Sequence, residues 1–402
     1  MSSRRRTIPL EGEQAAGAPL LQLAFRPFFL FGSAFSLVAV MLWALIIRGD
    51  VAVPKLFGGP IWWHMHEMLF GFVAAIVVGF LLTAVQTWTG RRGLHGLLLG
   101  GLVALWLTSR LTLFAPHVVP WWLISTLDLA FLPLAALSLG HQIIRVKLWR
   151  NLMFVPILLL MALANATMHC AVYLNNPFYA FQAANAMVML VTLVMCILGG
   201  RVFPMFTANG TQTPKVKPWP WLEKASIISV VVVVIISMGW IELPVWCYVI
   251  FYGLAGVFNA IRVARWRIWV TFKTPLVWSL HVSYWCIPLG LMLLALSSLG
   301  WGLTRSGALH VITVGAMGVM ILAMIARVSL GHTGRVIQVG KLIAVALLAV
   351  TLAGVVRVLG GVWIDYGIVL LISAILWCVG YGIFIGQYWS VLTQPRVDGK
   401  AG

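Results

Sequence analysis

His64, His66 and Glu67 stand near the start of one apolar run, within Trp63-His64-Met65-His66-Glu67. His169 lies near the end of another, with Asn165 four residues before it and so on the same helical face. His310 lies near the start of a third. Neutral imidazole is the commonest metal ligand in apolar surroundings, so three such rings could converge on copper or on a haem iron. His64 and His66 point about 200° apart on a regular helix. Either the helix begins between them, or each serves a different centre. Glu67 reads as an orienting partner, a ligand or a proton carrier, and Asn165 as part of the pocket wall. A second set comprises His281, Arg201, Arg327, His332 and Asn209. Its arginines suit anionic groups such as haem propionates, or else snorkel to lipid headgroups. Met187, Met189 and Met195 offer soft sulfur, although thioethers in apolar runs are mostly filler. Asp128 and Arg110 read as a structural ion pair between neighbouring helices. His95, His117 and His141 are expected in solvated loops, and the five scattered cysteines as small core residues.

These groups need elements to hold them, and the composition says which. Of 402 residues, 62% are hydrophobic and 9% charged. Soluble domains carry roughly 25% charged residues, so a water-soluble globular fold is excluded. Apolar runs long enough to cross a bilayer lie near 28–47, 62–88, 94–114, 121–140, 151–173, 178–203, 225–241, 243–261, 275–299, 306–329, 340–360 and 363–390. The fold class is therefore all-α integral membrane, with twelve transmembrane helices. With the N-terminus inside, 22 of the 27 Lys and Arg fall on inner segments and 5 on outer ones. That asymmetry places both termini in the cytoplasm. It also reads the net charge of +18 as a topology signal, with no nucleic-acid partner. Residues 1–24 form a cytoplasmic tail, 25–392 a single membrane domain and 393–402 a second tail. Arg4–Arg6 is followed by no small-residue cleavage pattern. In this orientation His66, His169 and His310 each sit about 6 Å below the outer ends of their helices. A lone histidine there is ordinarily an interfacial hydrogen-bonding group; three at one level favour a metal or haem role.

Internal similarity adds to the pattern. Ile144-Arg145-Val146-Lys147-Leu148-Trp149-Arg150 resembles Ile261-Arg262-Val263-Ala264-Arg265-Trp266-Arg267. His66, Gly71 and Thr89-Gly90-Arg91 recur at the same offsets as His310, Gly315 and Thr333-Gly334-Arg335. Three units of four helices would explain both matches.

Several stretches together carry a family resemblance. They are Phe25-Arg26-Pro27-Phe28-Phe29, Trp63 to Phe72, Gly199-Gly200-Arg201-Val202-Phe203-Pro204 with Thr207-Ala208-Asn209, and Ala326 to Arg335. Asp128 to Pro133 and Trp149-Arg150-Asn151 fit as well. The chain resembles the NnrS family over about residues 25 to 335. Gln86-Thr87 departs from it, standing where a Pro-Asn pair is expected. The resemblance implies a multi-pass protein of the bacterial inner membrane that binds a b-type haem and copper. It further implies a link to nitric oxide stress and denitrification, with nitric oxide as the small-molecule ligand. Which histidine holds which metal does not follow from it. The contrasting reading is a polytopic transporter of a small solute, metal or haem, with the histidines as a transit site. A nitric oxide-metabolising haem-copper oxidoreductase is a third, although Glu67 and Asp128 are a thin inventory of proton carriers. The orientation is directly testable. A fluorescent reporter fused after Gly402 should light up, whereas alkaline phosphatase fused there should stay inactive; the opposite pair of results overturns the cytoplasmic C-terminus.

Overall fold

Within a bilayer every backbone polar group must find its partner inside the chain, so apolar runs of this length have one solution, the helix. The computed structural model describes residues 17–302 and 304–399. Arg4–Arg6 and Lys400 of the expected cytoplasmic tails lie outside the described residues. All regular structure among the described residues is helical. Twelve helices there are long and apolar enough to cross a membrane. They are α1 (Phe25–Arg48), α2 (Gly59–Thr89), α3 (Gly96–Phe114), α4 (Trp121–Arg145), α5 (Trp149–Tyr173) and α6 (Pro177–Thr211). The second half runs α7 (Pro220–Ser237), α8 (Val245–Ala264), α9 (Pro275–Ser298), α10 (Arg305–His332), α11 (Lys341–Val362) and α12 (Tyr366–Thr393).

Sequence neighbours pack together along the chain, and α12 returns to lie against α1. Three helices are far more enclosed than most of the rest. The most apolar stretches of α2, α6 and α10 are 83%, 78% and 72% buried, and α6 touches both of the others. These inner helices are four apart in order, the period suggested by the sequence matches. The α2 and α10 pair share a further feature. Each turns from α into π geometry directly after its histidine, over Glu67–Val73 in α2 and Val311–Gly318 in α10. A π-turn leaves carbonyls without their usual partners, and an aromatic donor from another helix takes one in each case. Trp106 Nε1 donates to the Gly71 carbonyl at 2.9 Å, and the Tyr381 hydroxyl to that of Gly318 at 2.8 Å.

Several boundaries differ by a few residues from the sequence-based spans, and prolines bear on two of them. α6 continues past Pro204 to Thr211. A proline removes one backbone hydrogen bond, which a long, well-packed helix tolerates. Asn209, expected in a linker, therefore sits exposed on the last turns of α6. α7 begins earlier than expected because Pro220 suits a first helical turn. His141 lies on α4 and not in a loop, still exposed, and Cys170 is exposed where a core position was expected.

Glycine permits the closest approach between α10 and α11. A Cβ on Gly354 would lie 3.2 Å from the Gly315 Cα and 3.3 Å from its nitrogen, both backbone atoms that cannot swing aside. Gly354→Val should destabilise the protein by about 1–3 kcal/mol through overpacking. Gly382→Ala, where nothing lies within 4 Å, should be near neutral. Thermal unfolding in detergent checks the pair; equal midpoints would remove the close-packing argument.

Candidate metal centre

An ionisable group at membrane depth costs a few kcal/mol unless paired, so buried acids and histidines should find one another. Here they do so on four helices. α2 supplies His66 and Glu67, α3 supplies Arg110, α4 supplies Asp128, and α5 supplies Asn165 and His169. All six side chains are buried. Asp128 is the hub. Its Oδ2 lies 3.0 Å from His66 Nε2, 3.1 Å from His169 Nε2 and 2.8 Å from the donating Asn165 Nδ2. Its Oδ1 accepts from Arg110 Nη2, so the ion pair read from the sequence does form. The Arg110 guanidinium also donates from Nη1 to Glu67 Oε1 at 2.7 Å. Beyond the hub, His169 Nδ1 meets the Ser125 hydroxyl at 2.9 Å, and that hydroxyl meets the hydroxyl of Tyr173.

Hydrogen-bond logic fixes the protons. His66 Nδ1 faces Glu67 Oε1 at 2.8 Å, and its Nε2 faces Asp128 Oδ2 and, at 2.9 Å, Asn165 Oδ1. With both carboxyls ionised all three are acceptors, and in that state both ring nitrogens donate and His66 is an imidazolium. The charge count agrees. Arg110 contributes +1, Glu67 −1 and Asp128 −1, leaving −1 for His66 to cancel. Around the rings, Trp62 stacks on His66 at 4.4 Å between centroids. Phe57 and Trp62 each approach the His169 ring at 5.4 Å. The Trp62 indole N–H is spent on the Met168 carbonyl, which fixes that wall. Water is thereby kept from the centre.

The donor set fits a metal ion. One nitrogen from His66, one from His169 and one Asp128 oxygen lie within 4.8 Å of one another, the single such group among the described residues. Each ring keeps its other nitrogen on an orienting partner, Glu67 for His66 and Ser125 for His169, as metal-bound imidazoles commonly do.

The other sequence-derived candidates lie elsewhere. His64 points away from His66 and stacks on Trp43 at 4.3 Å, with Nδ1 buried and unpartnered. Both residues sit on one regular helical stretch, Gly59–His66, so the alternative of a helix beginning between them falls away. His310 donates from Nδ1 to the Ser306 carbonyl at 2.7 Å and is not part of the cluster; it lies within electrostatic reach of His64 and Arg357. In the second set, His281 Nε2 bonds Thr207 Oγ1 at 2.8 Å and its Nδ1 is unpartnered. Arg201 donates to Asn151 Oδ1, Arg327 lies 3.8 Å from the Phe206 ring centre, and His332 packs near Phe25. Met187, Met189 and Met195 are buried in the apolar core.

Haem fits less well. The apolar cavity among α1, α2, α6 and α10, lined by residues such as Phe29, Phe80, Met195 and Met320, offers about 70 Å³. Pockets for larger organic ligands run to several hundred Å³. The space is of a size for a small molecule and too small for a porphyrin.

A twelve-helix membrane protein with a buried histidine–carboxylate centre is the class that fold and site define. Residues 19–396 match the family described as NnrS protein. The chain belongs to the NnrS family. Among curated proteins, none matches it. Three of the six residues of the centre, His66, Glu67 and Asp128, lie in stretches that also carry the family resemblance.

Arg110 is the clearest point of attack. Arg110→Met would leave two carboxylates in the membrane against one imidazolium. Breaking such a buried pair costs about 3–5 kcal/mol. Adding Asp128→Asn should recover part of that loss, a coupling read as non-additive unfolding free energies in detergent. Strict additivity would show that Arg110 is not compensating Asp128.

Proposed function

We propose that this chain is a copper-binding protein of the bacterial inner membrane that acts in the response to nitric oxide, with the metal held by His66, His169 and Asp128. The single observation that carries this is the convergence of two imidazole Nε2 atoms on one Asp128 oxygen, fully buried and from three separate helices. Copper would supply a soft, redox-active centre able to bind a diatomic ligand. The chain's own residues do the rest. A metal held at His66 Nε2 would release the proton there to solvent, while Nδ1–H would stay on Glu67 and keep the ring oriented. Arg110 occupies Oδ1 of Asp128 and leaves Oδ2 as the donor. Trp62 and Phe57 exclude water, while the apolar cavity among the inner helices offers nitric oxide a dry place to partition. The basic linkers support a topology with both termini cytoplasmic, which sets the centre near the periplasmic face.

Family membership supports the nitric oxide link, and the donor set supports the metal. Purified protein should carry about one copper per chain, measured by elemental analysis. Loading should fall as pH drops, because a proton and the metal compete for His66 Nε2. His66→Ala with His169→Ala should lose the metal while eluting as a folded monodisperse species. Cells carrying that variant should become as sensitive to nitric oxide as cells lacking the gene. Full copper content in the double variant would overturn the assignment. A Soret band in the purified protein, bleached by His281→Ala and not by His66→Ala, would instead place haem in the second set.

A further inference from the structure

The end of the bundle where the basic linkers gather holds another cavity, also of about 70 Å³. Lys215, Lys217, Arg262 and Arg265 line it, together with one carboxylate, Glu223. Four positive groups against one negative leave +3. The carboxylate is already engaged, since Glu223 Oε2 accepts from Arg262 Nη2. Arg262 is the buried floor, 3% exposed. Its Nη1 donates to the Cys196 carbonyl and to the Tyr284 hydroxyl, both at 2.9 Å, while its Nε is buried with no partner. A buried guanidinium N–H left unmatched is costly, and an acceptor entering the cavity would relieve it.

The rest of the pocket is held in place. Arg265 Nη2 donates to the Lys217 carbonyl at 3.2 Å, and its guanidinium lies 3.6 Å from the centre of the Trp219 ring. Arg267 Nη2 donates to the Pro214 carbonyl. Both ties fasten the 212–219 linker across the mouth and hold the two lysines there. Gly200 faces the floor; a Cβ at that position would strike the Arg262 guanidinium and Glu223. Leu222 and Glu223, in the first turn of α7, line the wall, so backbone N–H groups at that helix start add to the positive field.

We infer that this cavity is a binding site for a phosphate-type oxyanion. A water needs roughly 10–15 Å³ of such space, so the cavity accommodates several waters or one small oxyanion in their place, and no nucleotide. The same chemistry could arrive as free inorganic phosphate or as the headgroup of an anionic lipid. Nothing in this site touches the histidine–carboxylate centre, so it stands apart from the copper reading.

Equilibrium dialysis of the purified full chain in neutral detergent against radiolabelled inorganic phosphate tests it. One saturable site per chain is expected. Lys217→Ala with Arg265→Gln should weaken it by at least about tenfold, the loss of charge-assisted contacts. Lys215→Ala with Lys217→Ala is the second variant; it keeps every arginine tie and guards against a collapsed linker. In nanodiscs, phosphatidylglycerol that displaces phosphate and raises the wild-type unfolding temperature, but not that of the variants, assigns the site to a lipid headgroup. No displacement assigns it to the free anion. Uptake that is unsaturable, or equal in wild type and both variants, with no lipid effect that distinguishes them, overturns the inference.

Discussion

One guanidinium between two carboxylates is the constraint on which this bundle depends. Arg110 reaches Glu67 on α2 and Asp128 on α4 from α3, so three helices share one electrostatic bond at membrane depth. Left alone, each of those charges would cost roughly 2.5–3.5 kcal/mol on insertion scales. Together they still sum to −1, and the remaining charge is cancelled by a proton on His66. The position of α5 follows, because Asn165 and His169 complete the bonds that Asp128 has left. Depth, register and rotation of four helices are thus tied to a handful of polar atoms in a bundle that otherwise packs apolar side chains.

The backbone makes room for this arrangement. The π segment of α2 begins at Glu67, and within it Gly71 lies against Arg110, where a Cβ would come within 2.8 Å of Nη1. Trp106, one turn from Arg110 on the same helix, caps the Gly71 carbonyl. A regular helix with a bulkier residue at 71 would push the guanidinium away from the carboxylates. The π segment of α10 lies at the corresponding place, and Gly315 there meets Gly354 of α11. In both inner helices a non-standard turn and a glycine permit a close neighbour, a packing guanidinium in one and a helix backbone in the other. The similarity in backbone has therefore been put to different ends, one polar and one apolar.

Much of the fold was legible because twenty apolar residues have one way to cross a bilayer, and the span assignments needed little else. The meeting of His66 with His169 was legible too, since both stand near the ends of their apolar runs. Rotation about the helix axis was not. His310 was expected at the level of His66 and His169, yet its ring is bonded to its own helix at Ser306. Packing of α10 against its neighbours sets that rotation, and no local signal encodes it. Asp128 was recognisable as the partner of Arg110, but its second oxygen gathers both histidines, which makes it the hub and not merely a counter-ion. Ser125 and Tyr173 went unremarked because hydroxyls are common in helices. Their spacing gave a usable signal: Ser125 is three residues before Asp128 and Tyr173 four after His169, each on the same face.

The charge count also bears on the proposed metal reading, through the sign and size of the charge such an ion would meet. In the metal-free state, Arg110, Glu67, Asp128 and protonated His66 sum to zero. Replacing that proton by a monovalent metal ion keeps the sum at zero, so the loaded centre needs no counter-ion and no new bond to Arg110. A divalent ion would leave +1 beneath the membrane surface, walled off by Trp62 and Phe57 and with Arg110 fixed beside it. Under the proposed metal reading, a monovalent ion would therefore match the charge of these surroundings more closely than a divalent one. The Oε2 of Glu67 is buried without a hydrogen-bond partner, and it joins the neutral ring of His169 as a nearby group with capacity for an additional positive charge.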